Sequence, residues 1–193
     1  CDWSSDVCSS DLTPKGPGKT AILRPMSLTT LEGGRQRYER SAAHYSVEFP
    51  VGWTVDTTFA RHDFRATATP AIPGIACLDV FTQFLPDLAG AGPEDFLDNF
   101  GHADFDGMVR SSFHDDFQVT PRGETPVTQR MIAGRVWFVG DYGLVGRTTG
   151  KVATLRYAMA FERGTFYHLK GYLSGDDHAA GEAAMERVLE SFR

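Results

Sequence analysis

The chain has 193 residues, 41% of them hydrophobic and 23% charged, with a formal net charge of −6. That length is enough for one domain burying roughly 70% of its unfolded-chain surface. The slight acidity argues against nucleic acid, whose binding needs clustered Lys and Arg, and no apolar run approaches the roughly 20 residues of a transmembrane helix.

In chain order, residues 1–12 read CDWSSDVCSSDL and follow neither a strand nor a helix period. Asp2 to Leu12 resembles one translated frame of a sequencing-library adapter, so the segment is expected to be foreign to the natural protein and is set aside as an adapter-derived artefact. Without Asp2, Asp6 and Asp11 the chain has 22 acidic residues against 19 basic ones, a net charge of −3. Without Cys1 and Cys8 it has a lone Cys77, which the run IACLDVF marks as a small buried core residue. The native start, with any signal peptide, is expected upstream of Thr13.

Residues 13–37 are rich in Pro, Gly, Lys and Thr and read as a flexible linker or arm. Within them GPGKT, Gly16 to Thr20, is a poor phosphate loop: Thr13 stands where the motif needs its first glycine, and Pro25 follows where a helix should run.

A single globular domain is expected over 38–193. HYSVEFPVGWTVDTTF sets Tyr45, Val47 and Phe49 on one face, turns at Pro50 to Gly52, and alternates again through Trp53, Val55 and Thr57. Arg65 to Gly74, with two prolines, reads as a loop. Ile75 to Leu85 reads as a more apolar, central strand.

Gly92 to Phe113 turns helical. Pro93 suits a first helical position, Glu94 and Asp95 suit the positive helix start, and a phase slip at Gly101 predicts a bend or two short helices. Strand patterns follow over Phe117 to Thr128, and over Gln129 to Val145 with a turn at Ala133-Gly134. Lys151 to Phe161 carries Leu155, Tyr157, Met159 and Phe161 on one face, and a turn at Glu162 to Gly164 joins it to Thr165 to Leu173. The C-terminal segment sets Gly181, Ala184, Met185, Val188, Leu189 and Phe192 on one helical face, with Ser174, Asp176 and Asp177 as caps. This order predicts an α+β fold: an α/β/α sandwich whose mainly antiparallel sheet is covered by helices.

YSVEFPVGWTV resembles the opening of PsbP-like domains, an aromatic strand reaching a Pro-x-Gly-Trp turn. GTFYHLKGYLSGDDHAAGEAAMERVLESFR is similar to their close, in which a terminal helix ends in Ser-Phe, here Ser191 and Phe192. The resemblance covers about Tyr38 to Arg193 and includes bacterial lipoproteins of the DcrB-like and LpqN-like kind. It implies a sandwich without a known catalytic constellation and a non-enzymatic domain binding a protein partner or small ligand. It also implies an extracytoplasmic place, periplasmic or at the cell surface, with a lipid anchor upstream. No motif matches the metal ligands of plant members, so no metal or cofactor is carried over.

Two corners hold the chemistry-bearing residues. RHDF contains His62 and Asp63, and FHDDF contains His114, Asp115 and Asp116. Convergence of His62, Asp63, His114 and Asp115 would support the alternative of a small metal-dependent hydrolase, because a metal needs His and carboxylate ligands aimed at one point. Another alternative is a cytoplasmic partner-binding accessory domain. There is no Gly-x-Ser-x-Gly turn for a serine nucleophile, and Cys77 lacks a nucleophile's context. His168, inside the strand FYHLK, is expected to face solvent or a core hydrogen bond, and Trp53 to anchor the core between sheet and helix. No catalytic, cofactor-binding or metal residue is assigned.

Overall fold

A computed structural model describes residues 26–58, 63–68, 75–123, 127–173 and 178–193. The chain begins there with a small antiparallel sheet of β1 (Met26–Thr30), β2 (Gln36–Arg40) and β3 (Tyr45–Phe49), in that spatial order. The reading of 13–37 as an arm is corrected over 26–37. MSLTT alternates apolar and polar side chains, and Gly33 and Gly34, at φ 75° and 79°, supply the left-handed backbone that closes the β1–β2 hairpin.

The large sheet contains β4 (Trp53–Asp56), β5 (Phe64–Ala68), β6 (Ile75–Phe84), β7 (Phe117–Pro121), β8 (Val127–Ile132), β9 (Arg135–Gly146), β10 (Val152–Glu162) and β11 (Thr165–Leu173). Its order is β4-β5-β6-β11-β10-β9-β7, with β8 also on β9, and every pairing is antiparallel. β5 lies where a loop was expected. Phe64 and Ala66 point into the core, and Pro70 and Pro73 come after the strand rather than within it. The β8–β9 and β10–β11 links are two-residue turns with both residues left-handed: Ala133 and Gly134 at φ 51° and 79°, Arg163 and Gly164 at 47° and 77°. Such turns match the twist of the strands they join.

Each face of the large sheet carries its own core. On one face Leu78, Val80, Ala158, Ala160 and Leu169 meet Tyr38, Val47 and Phe49 of the small sheet. Trp53 is buried there and packs on Phe49. Beside the small sheet, α3 (His178–Glu190) inserts Ala184, Met185, Val188 and Leu189, and Phe192 follows just beyond its end. Each such burial is worth about 1.5–3 kcal/mol for the larger side chains. The chain end is held by β3: Ser46 and Arg193 exchange backbone hydrogen bonds of 3.0 and 2.9 Å, and the Glu48 amide donates to Ser191 Oγ at 2.9 Å.

On the other face α1 (Pro93–Leu97) and α2 (His102–Phe113) lie over β7–β10. The predicted break at Gly101 is present. Asp95 and Asp104 each accept a hydrogen bond from the glycine amide that precedes their helix, Gly92 and Gly101, both at 2.8 Å. Phe105, Val109 and Phe113 are buried against Phe138, Tyr142 and Tyr157. Helices on both faces of a mainly antiparallel sheet make the α+β sandwich that the element order implied. The predicted caps Ser174, Asp176 and Asp177 lie outside the described residues.

Candidate functional site

Among the described residues of the two corners, Asp63 does not come together with His114 and Asp115. Asp63, at the entry to β5, is 8% exposed and faces the small-sheet side. Its carboxylate pairs with the Arg40 guanidinium and accepts hydrogen bonds from Tyr45 Oη at 2.6 Å and Thr82 Oγ1 at 2.9 Å. It joins β2, β3 and β6, and its acceptor capacity is spent on that junction. His114 caps the end of α2, on the opposite side of the large sheet. It is exposed, with Nδ1 2.8 Å from the Ser111 carbonyl and Nε2 2.9 Å from the exposed Asp115 carboxylate. His62 lies outside the described residues. Among the described residues no three His, Cys, Asp or Glu side chains are grouped to hold a metal ion. Cys77 is buried, as the run IACLDVF implied.

A polar row passed over in the sequence runs across the middle of the large sheet. Alternation along β11 sends Tyr167 and Leu169 to the small-sheet side and His168, Lys170 and Tyr172 to the side of α2. There β6 contributes Asp79 and Phe81, β10 contributes Tyr157, and β5 contributes Arg65. The row is closed: His168 is 6% exposed, Lys170 4% and Asp79 2%.

Its electrostatics follow from that burial. Tyr157 Oη lies 2.9 Å from His168 Nδ1. Burial pushes the Tyr157 phenol well above its ordinary range, so it keeps its proton and donates to the imidazole. His168 then carries its own proton on Nε2, which has no hydrogen-bond partner among the described residues. Its ring stacks on Phe81 at 4.2 Å between centroids. Burial first, and the Lys170 charge second, push the His168 pKa down to about 3.

Lys170 Nζ sits among three aromatic rings, 4.8 Å from the centroid of Phe81, 5.1 Å from Phe113 and 5.3 Å from Tyr157. The rings return part of the desolvation cost through their negative faces. Desolvation still dominates over the attraction of Asp79, and the ammonium is pushed down to about 8. Arg65 grips Asp79 with two bonds, Nε to Oδ1 at 2.6 Å and Nη2 to Oδ2 at 2.8 Å.

Chemically, the row contains a neutral imidazole, a caged ammonium and a clamped carboxylate. Among the described residues the one hydroxyl that hydrogen-bonds the imidazole is the Tyr157 phenol, which burial keeps protonated. The His168 expectation holds in its second form, a core hydrogen bond. Lys170 was missed because HLKGYL, read by itself, places His168 and Lys170 on what looks like the wet face of a half-buried strand.

These features define an α+β sandwich whose inward polar groups bind one another. Solved structures place the fold more narrowly. The solution structure of cyanobacterial PsbP (CyanoP) from Synechocystis matches with a TM-score of 0.59 at 18% identity, over 92% of this chain and 98% of that one. A mutant of the protein Mog1 matches at 0.49 and 10% identity, over 88% and 96%. LpqN of Mycobacterium tuberculosis, described as involved in cell envelope biogenesis, matches at 0.41 and 12% identity, over 87% and 89%. No family model and no curated protein matches the chain. The fold is PsbP-like.

Proposed function

We propose that the chain is a non-enzymatic domain of a bacterial envelope protein that binds a protein partner or a small ligand. The observation that carries this reading is where the polar and apolar groups go. Asp63, Asp79 and His168 are committed to Arg40, Arg65 and Tyr157 inside the sandwich. Met26, Leu28 and Val51 meanwhile remain 40%, 42% and 60% exposed around the small sheet. Chemistry-bearing groups locked into structure, with apolar side chains left outside, suit binding better than turnover. The envelope location rests on the sequence resemblance to bacterial lipoproteins.

Two measurements test the reading. The purified chain is assayed against chromogenic ester, phosphoester and peptide substrates with and without added Zn²⁺ or Mn²⁺, and no turnover is expected. Turnover lost in Asp63→Asn or His114→Ala would overturn the non-enzymatic reading. The gene from its native start is also fused to alkaline phosphatase, which is active only outside the cytoplasm. An inactive, stably produced fusion would overturn the location.

A further inference from the structure

The strand edges of this molecule are not treated alike. An open edge presents unpaired backbone N–H and C=O groups, and proteins guard such edges with charge, proline or short length. At one end of the large sheet, β4 has only four residues and closes on Asp56. At the other end, β7 finishes in Pro121, and β8 carries Arg130, which is paired with Glu186 of α3. The outer edge of β1, also short, has neither charge nor proline. MSLTT is uncharged and lacks proline, all five residues are exposed, and among the described residues only β2 pairs with it.

β1 also has a defined apolar side. Leu28 pairs with Tyr38 and Met26 with Arg40, so by cross-strand alignment Met26, Leu28 and Thr30 share the face on which Tyr38 is fully buried. Tyr38 Oη reaches Met26 Sδ at 3.6 Å. Met26 and Leu28 are nevertheless 40% and 42% exposed, and among the described residues no strand lies beyond β1 to cover them. A further strand would cover them.

We propose that β1 is a self-pairing edge, on which a second copy of this chain docks its own β1 antiparallel about a two-fold axis at Leu28. The strand complements itself under that operation. Leu28 faces Leu28 of the partner, Met26 faces Thr30, and Ser27 faces Thr29, so no charge meets a like charge anywhere along the seam. The two three-stranded sheets become one of six strands, and each Leu28 and Met26 is covered by its counterpart. Five residues of strand make a small interface, so the association is weak and depends on concentration.

The test is sedimentation velocity over a series from about 10 to 200 μM, the range in which weak strand pairing is populated. Concentration-dependent dimer is expected for the natural strand. Two double variants then separate pairing from loss of fold. Met26→Glu with Thr30→Glu opposes like charges twice across the seam and is expected to weaken the dimer by about tenfold or more. Met26→Glu with Thr30→Lys replaces the same positions but opposes unlike charges, and is expected to dimerise at least tenfold more tightly than the first. A monomer across the whole series for the natural strand would overturn the proposal. So would equal dimerisation of the two variants, which would place any contact elsewhere.

Discussion

Acid should unfold this protein through one imidazole. An ordinary histidine titrates near 6.5, as His168 does in the unfolded chain, but in the fold burial and Lys170 hold it at about 3. Between those values the unfolded chain binds a proton that the folded chain refuses, so stability falls as pH falls through this window. At pH 4 the loss is about 3 kcal/mol, and at full development about 5 kcal/mol, from the free energy per pKa unit. That is a large share of the 5–15 kcal/mol typical of a domain. The perturbation of choice is the pair His168→Phe with Tyr157→Phe. It keeps the stack on Phe81 and removes both partners of the 2.9 Å hydrogen bond, so neither is left buried alone. Urea unfolding followed by tryptophan fluorescence from pH 4 to 8 gives the free energies. The natural chain is expected to lose about 3 kcal/mol more than the double variant between pH 7 and pH 4. Parallel pH curves for the two would refute the buried, neutral imidazole.

Lys170 acts in the opposite range. Its folded value of about 8 lies below the ordinary 10.5, so the unfolded chain holds the extra proton between them and stability rises with pH from about 8 to 10, by up to about 3 kcal/mol. Above pH 10 the buried phenols of Tyr142, Tyr157 and Tyr172, all pushed up by burial, reverse the trend, because the unfolded chain then loses protons first. Lys170→Met is expected to abolish the rise but keep the fall, as read by the same unfolding assay. Asp63→Ala takes the carboxylate away from Arg40, Tyr45 and Thr82 and is expected to cost about 3–5 kcal/mol. Adding Arg40→Met should recover part of that cost in thermal melts. Gly164→Ala sets a methyl 2.9 Å from Ala89 N and Leu85 O at φ 77° and should lower stability by about 2–3 kcal/mol. Gly123→Ala, at φ 80° with nothing within 4 Å, should cost only about 1 kcal/mol, and calorimetry compares the two.

Local pattern carried much of the architecture. Period-two alternation with a glycine turn marked β10 and β11 almost to the residue, because alternate side chains along each strand enter opposite cores. The apolar stripe through Ala184, Met185, Val188 and Leu189 marked α3 at period 3.6, and the slip at Gly101 marked the division between α1 and α2. β1 and β5 were not legible. Both are short, and both sit in segments whose prolines and glycines read as loop when the neighbouring strand that completes their hydrogen bonds is not in view.

Alternation along the chain decided which side chains share a face, and so determined the strands, the hairpins and the fold class. It could not decide which polar faces are wet, because that depends on what another part of the chain lays over them. His168 and Lys170 became a closed polar row only where the sheet interior and Phe113 of α2 shut out water. Asp63 became a junction rather than a ligand only because Arg40, Tyr45 and Thr82 arrive from three separate strands. Burial and pairing are set by distant segments meeting, and they turned residues that looked reactive in the sequence into parts of the frame.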